Sequence, residues 1–181
     1  MTVALVHHPV VDKNGETIAA AVTALDLHDI ARAAKTFGAD GFYVVTPLQD
    51  QQELVQSIIN HWVSGHGAQY NPDRQAALAL IRLAPSLTAV LAEINALRGQ
   101  KPKVVVTSAR MADSDLGFDQ LRAMVAEGHP LVLVFGTAWG LAPELIESAD
   151  HRLAPIAGND GYNHLAVRSA VAIVLDRILG R

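Results

Sequence analysis

The chain has 181 residues, half of them apolar and 18% charged, which suits one compact domain burying roughly two-thirds of its unfolded surface. It contains no cysteine, which excludes disulfides, thiolate metal sites and thiol catalysis. A formal charge of −4 argues against broad, non-specific attraction to nucleic acid, so any RNA contact has to be local.

No basic segment precedes the first apolar run, and no apolar stretch reaches about 18 residues, so a soluble, cytoplasmic protein is expected. Val3 to Val6 reads as a strand, Asn14-Gly15 as a turn, and Thr17 to Val22 as a second β-leaning stretch. From Asp26, the residues Leu27, Ile30, Ala31, Ala34 and Phe37 recur at helical spacing, with Asp26 as candidate cap and Gly38 as stop. Gly41 to Val45 reads as a buried strand stopped by Pro47, and Gln49 to Ser64 as a helix with Leu54, Ile58 and Trp62 on one face.

The alternation continues with Ala79 to Leu83 as strand, Ser86 to Leu97 as helix, Val104 to Thr107 as strand, Phe118 to Glu127 as helix and Leu131 to Phe135 as strand. Leu165 to Leu175 reads as a final helix whose apolar residues spread over more than one face, which suggests burial in a dimer interface. Asn163 is placed to cap it. Continuously apolar strands separated by helices imply an α/β fold, a mostly parallel sheet with helices on both faces. The stretches Gly65 to Asn71 and Ala112 to Gly117 read as short polar linkers, and no domain boundary is visible.

Gly136 and Gly140, following an apolar strand, permit a tight turn or a close ligand approach. By themselves they are no more than a strand-to-helix turn, since neither a Walker-type loop nor a Gly-x-Gly-x-x-Gly is present. The generic alternation also admits a flavodoxin-like binder, though no phosphate-cradling loop follows the first strand. His7, His8 and His61 lack metal-site spacing, and no metal is expected.

Three segments carry more: Val22 to Arg32 (VTALDLHDIAR), Phe135 to Leu141 (FGTAWGL), and Pro155 to Gly158 running on to Asn163 to Ala170 (NHLAVRSA). In order and spacing they resemble the motifs of SPOUT (SpoU-like) S-adenosylmethionine-dependent RNA methyltransferases. Tyr43 to Pro47, His61-Trp62, Tyr70 to Arg74, Val106 to Arg110 and Ile173 to Arg177 extend the resemblance over essentially the whole chain.

The resemblance implies a single domain over 1–181 with a C-terminal trefoil knot over approximately 104–181, S-adenosyl-L-methionine as cofactor, and RNA, in particular tRNA, as substrate in a homodimer joined through the last helix. Its cofactor loops fall on Thr107 and Ser108, on Phe135, Gly136, Thr137, Gly140 and Leu141, and on Leu153, Ile156, Gly158 and Leu165. Leu141, Leu153 and Ile156 would line an adenine slot, although ordinary core packing accounts equally well for any one of them.

Arg32 matches the family's first-motif arginine, which reaches across the dimer toward the substrate. Its bland alternative is a surface pairing with Asp29 or His28. His164 is a candidate general base, its ordinary pKa lying near neutrality, and Asn163 completes the catalytic set. A basic surface of Arg74, Arg98, Lys101, Lys103 and Arg110 would supply the local RNA contact.

Three positions depart from the family pattern: Ala24 stands where it carries Asn, Ala138 where it carries Gly, and Ala166 where it carries Ser. The departures remove polarity or backbone freedom, with impaired cofactor binding or methyl transfer expected and little change in stability. The alternative is a catalytically inactive or engineered knotted dimer acting as a folding or interaction scaffold.

Overall fold

The computed structural model describes all 181 residues. The chain opens with β1 (Thr2–Val6), a small hairpin of β2 (Val10–Val11) and β3 (Thr17–Ile18), then α1 (Ala24–Phe37), β4 (Gly41–Val45) and α2 (Gln49–Val63). Next come α3 (His66–Tyr70), α4 (Pro72–Leu78), β5 (Ile81–Ala84), α5 (Leu87–Arg98), β6 (Lys103–Val106) and α6 (Phe118–Ala126). The remainder is β7 (Leu131–Gly136), α7 (Pro143–Glu147), β8 (His151–Arg152) and α8 (Val167–Leu179).

Six strands form one sheet in the order β5-β4-β1-β7-β6-β8, every neighbouring pair parallel. Parallel strands need both faces covered, and alternate side chains divide between two cores. Val3, Leu5, Phe42, Val44, Val105, Leu133 and Phe135 pack under α1, α2, α4, α6 and α8, while Ala4, Val6, Tyr43, Val45, Val106 and Val134 pack against α5 and α7. The chain leaves β1 toward β4 on one side and leaves β7 toward β8 on the other, which creates a topological switch at the carboxyl ends of β1 and β7. Parallel α/β sheets characteristically bind ligands at such a point.

The sequence periodicity places most elements within a residue or two, and the exceptions have local causes. Thr23, not Asp26, caps α1: its hydroxyl accepts from the Asp26 N–H at 3.3 Å and donates to the Asp26 carboxylate at 2.6 Å. Capping one turn earlier gives α1 14 residues, nearly four turns. On α2 the inward stripe runs through Val55, Ile59 and Trp62, an i, i+4, i+7 row, and leaves Leu54 43% exposed.

The supposed linker at 65–71 contains α3, and α4 follows at once because Asn71 Oδ1 accepts from the Arg74 N–H at 2.9 Å and Pro72 opens the helix. Of the stretch from Thr17 to Val22, only Thr17 and Ile18 pair, with Val11 and Val10; Ala20 instead donates its N–H to the His7 carbonyl at 2.7 Å.

The apolar breadth of α8 has an intrachain explanation. Val171, Val174, Leu175 and Ile178 are buried in the larger core, where α8 packs against α1 and α6. Asn163 does not cap this helix. The cap position is Ala166, whose side chain offers no acceptor, while the Asn163 amide donates to the Ala109 carbonyl at 2.7 Å. After β8 the chain runs alongside the loop that follows β6: Leu153 bridges Leu116, and the Ala154 N–H donates to the Leu116 carbonyl at 2.8 Å. No helix is long and apolar enough to cross a membrane.

Candidate cofactor crevice

The carboxyl ends of β6 and β7 and the chain after β8 enclose a crevice of about 690 Å³, within the range of small-molecule and cofactor sites. Three walls meet there: Thr107 to Arg110, Phe135 to Gly140, and Leu153 to Ile156 with Asn163 to Val167. Ala20, Ala21, Thr23 and Asp26, from the approach to α1, close the fourth side.

Each wall is fixed by backbone bonding. The Thr107 hydroxyl donates to the Val134 carbonyl and the Thr137 hydroxyl to the Val6 carbonyl, both at 3.0 Å, which ties the turn after β7 to β6 and β1. The Leu153 N–H donates to the Val106 carbonyl at 3.0 Å. The turn from Thr137 to Gly140 is clamped from outside by the hairpin: Trp139 donates to the Val11 carbonyl at 3.1 Å, and Val11 to the Gly140 carbonyl at 2.9 Å.

This turn explains the glycines. A Cβ on Gly136 would lie 2.8 Å from the Leu141 backbone nitrogen, and Gly140 has φ +122°. Between them Ala138 adopts φ +51°, the one non-glycine residue of the chain with positive φ, a conformation costing an L-residue roughly 1–2 kcal/mol.

The expected cofactor residues Thr107, Ser108, Phe135, Gly136, Thr137, Gly140, Leu153, Ile156 and Leu165, together with Asn163 and His164, all line the crevice. Two do not. Leu141 is 4% exposed and packs into the smaller core beneath Gly136, because the tight turn directs it to the other face of the sheet. Gly158 lies in an exposed loop where a Cβ would collide with the Tyr162 carbonyl, so that glycine serves the loop's closure.

Arg32 is exposed on α1 in a separate groove with Lys35, Thr36, Asn71, Asp73 and Arg74. Asp29, its expected helical partner, instead meets Arg168 of α8 at 3.5 Å. The expected basic surface is divided: Arg74 shares the groove of Arg32 and Arg110 lines the crevice. Lys103 and Arg98 pair with Asp150 at 3.2 Å and Asp40 at 2.7 Å near the amino ends of β6 and β4, opposite the crevice. Arg74 lies over the Trp62 ring at 4.5 Å.

Sequence reasoning missed the wall built from Ala20, Ala21, Thr23 and Asp26, though Thr23-x-x-Asp26 carries the capping-box pattern. Asp26 is 8% exposed and its carboxylate also meets Arg168 at 3.4 Å. Behind this wall His7 is fully buried with neither ring nitrogen hydrogen-bonded. Burial lowers its pKa from the usual histidine value, against the opposing pull of Asp26. No cluster of three histidine, aspartate or glutamate side chains is placed to hold a metal.

The crevice suits S-adenosylmethionine in its donor set. The N–H groups of Ser108, Ala138 and Ile156 have no protein acceptor, and Leu153 and Ile156 supply apolar surface beside them, as an adenine ring requires. Fold and site together define a parallel α/β protein whose crevice at the switch point of its sheet has the lining a nucleoside cofactor needs.

The model of the SAM-dependent RNA methyltransferase family matches residues 1–180, and the chain belongs to that family. It is 48% identical over 177 residues to a tRNA (guanine-N(1)-)-methyltransferase of Oleidesulfovibrio alaskensis, covering 98% of this chain and 41% of the relative. The chain thus spans about two-fifths of that relative's length. An uncharacterized Aquifex aeolicus protein is 39% identical over 99% of this chain and 88% of its own. Among solved structures, the SpoU methyltransferase AviRb from Streptomyces viridochromogenes, in complex with the cofactor AdoMet, superposes with a TM-score of 0.56 at 18% identity, over 99% of this chain and 56% of that one. The fold is that of the SpoU (SPOUT) methyltransferases.

Proposed function

We propose that this chain transfers a methyl group from S-adenosylmethionine to RNA, with tRNA as the substrate and a ribose 2′-oxygen or a base nitrogen as acceptor. The observation that carries the reading is the convergence, in one crevice at the switch point, of the three segments that match the family's cofactor loops. Bound there, S-adenosylmethionine supplies an electrophilic methyl group on a sulfonium centre.

In this reading Thr107, Ser108, Phe135, Gly136, Thr137, Gly140, Leu153, Ile156 and Leu165 hold the cofactor. His164 at the crevice wall accepts the proton that a hydroxyl acceptor must lose, and Asn163 secures the wall through Ala109. Arg32 lies outside its own chain's crevice, so its role requires a second copy. The domain then works as a homodimer joined through α8, with the exposed Leu25 of the neighbouring α1 adding apolar contact. The domain is a single unit over 1–181 with the chain threaded as a knot over approximately 104–181, and it acts in the cytoplasm.

The 48% relative's guanine-N1 activity belongs to a protein more than twice this length, so it does not choose the acceptor atom here. Transfer of labelled methyl from S-adenosylmethionine to bulk tRNA tests the proposal. Label entering tRNA, reduced in Arg32→Ala and His164→Ala with cofactor affinity kept, is the expected result. Cofactor binding without transfer to any RNA would favour instead an inactive scaffold, a reading that Ala24, Ala138 and Ala166 support by leaving polar or flexible positions unfilled.

A further inference from the structure

Trp139 is 53% exposed at the lip of the crevice, although the hairpin holds the backbone on both sides of it. A large indole kept half in water on a fixed backbone forgoes the hydrophobic free energy that burial against a ligand would recover. The chain's other tryptophan, Trp62, is covered by the Arg74 guanidinium at 4.5 Å and by the edges of His28 and His61. Trp139 has one such neighbour: the Arg110 guanidinium, 5.4 Å from the ring centroid. Arg110 comes from the loop after β6 and Trp139 from the turn after β7, so the pair bridges two walls of the crevice at its mouth.

We infer that Trp139 and Arg110 form a stacking site for an unstacked RNA base at the entrance to the cofactor crevice. The inference rests on the reading of the chain as an RNA methyltransferase, and it names how the substrate is held. An exposed indole offers a π face that any base can stack on, and the adjacent guanidinium adds cation–π attraction and a phosphate partner. A purely apolar ligand would leave Arg110 desolvated and unpaired, and a simple anion would gain nothing from the indole. A nucleotide uses both. The net charge of −4 gives such a local device particular weight, since the protein as a whole does not attract RNA. Stacking at the lip also draws a nucleotide out of its helix, which an acceptor inside the crevice requires.

The test uses a Trp62→Phe background, in which Trp139 is the single indole, titrated with a ten-nucleotide single-stranded RNA of mixed sequence and, separately, with S-adenosylmethionine. RNA is expected to quench Trp139 emission and the cofactor alone to change it little. Trp139→Ala should raise the RNA dissociation constant about 5- to 150-fold, the range of one base–aromatic stack, with a smaller effect on S-adenosylmethionine affinity and with Trp139→Phe retaining most of the RNA affinity. If Trp62→Phe folds poorly, the signal is read as the difference between the wild type and Trp139→Phe. Undiminished RNA binding by Trp139→Ala, full quenching by the cofactor alone, or dissociation of a dimer on that substitution would each overturn the stacking site. Should the wild type methylate tRNA while Trp139→Ala does so equally well, the stacking site alone falls; should the wild type bind no RNA, the functional reading falls with it.

Discussion

Replacing Ala138 with glycine should stabilise the protein, against the usual direction of an alanine-to-glycine change. At φ +51° the Ala138 methyl group costs roughly 1–2 kcal/mol. Glycine removes that cost but gives the unfolded chain more freedom, taking back about 0.4–1 kcal/mol. The net expectation is about 0–1.6 kcal/mol of added stability, centred near 0.8, or roughly 2–3 °C in Tm for a domain of this size. Ala96→Gly is the control: Ala96 is exposed within α5 on ordinary helical backbone, so glycine relieves no strain there and stability should fall by about 0.5–1 kcal/mol. Urea unfolding of both variants, with slopes compared to the wild type, reads the two signs. A loss of stability in Ala138→Gly equal to that in Ala96→Gly would refute the strained turn.

The same geometry yields three more expectations. Ala166→Ser supplies the missing acceptor at the start of α8 and should add about 1 kcal/mol by thermal unfolding. Gly136→Ala drives a Cβ to 2.8 Å from the Leu141 nitrogen, so it should weaken S-adenosylmethionine binding by calorimetry and lower stability by about 1–3 kcal/mol. Burial favours the neutral form of His7 and holds its folded pKa below the usual histidine value of about 6.5. Below that pH the unfolded chain binds a proton the native state refuses, so stability should fall as pH drops through about 6.5. His7→Leu should flatten this slope in unfolding measured from pH 7.5 to 5, and an unchanged slope would exclude His7 as its source.

The alternation of apolar strands and helices made the parallel layers legible, because fully buried strands leave a continuous apolar signature. The order of the strands was not legible: pairing β8 beside β6 depends on two residues, His151 and Arg152, that carry no periodic signal. Most of the segments that line the crevice were located by resemblance, and the turn geometry explains why the glycines after β7 are needed. Leu141 was misplaced because a chain reversal, invisible to hydrophobicity, sends it to the opposite face. Capping by Asn163 was a sensible guess from residue type, but the amide is drawn away by Ala109. Ala138 and Ala166 were expected to affect function while leaving stability almost unmoved. The positive φ of Ala138 instead gives that residue a cost in stability that its identity alone could not reveal.

Isothermal titration of S-adenosylmethionine into the purified chain tests the central claim most directly. The account predicts saturable binding at one site per chain, weakened by Gly136→Ala and left intact by Arg32→Ala, since Arg32 lies outside the crevice of its own chain. Absence of saturable binding to the folded wild type, or equal affinity in Gly136→Ala, would contradict it.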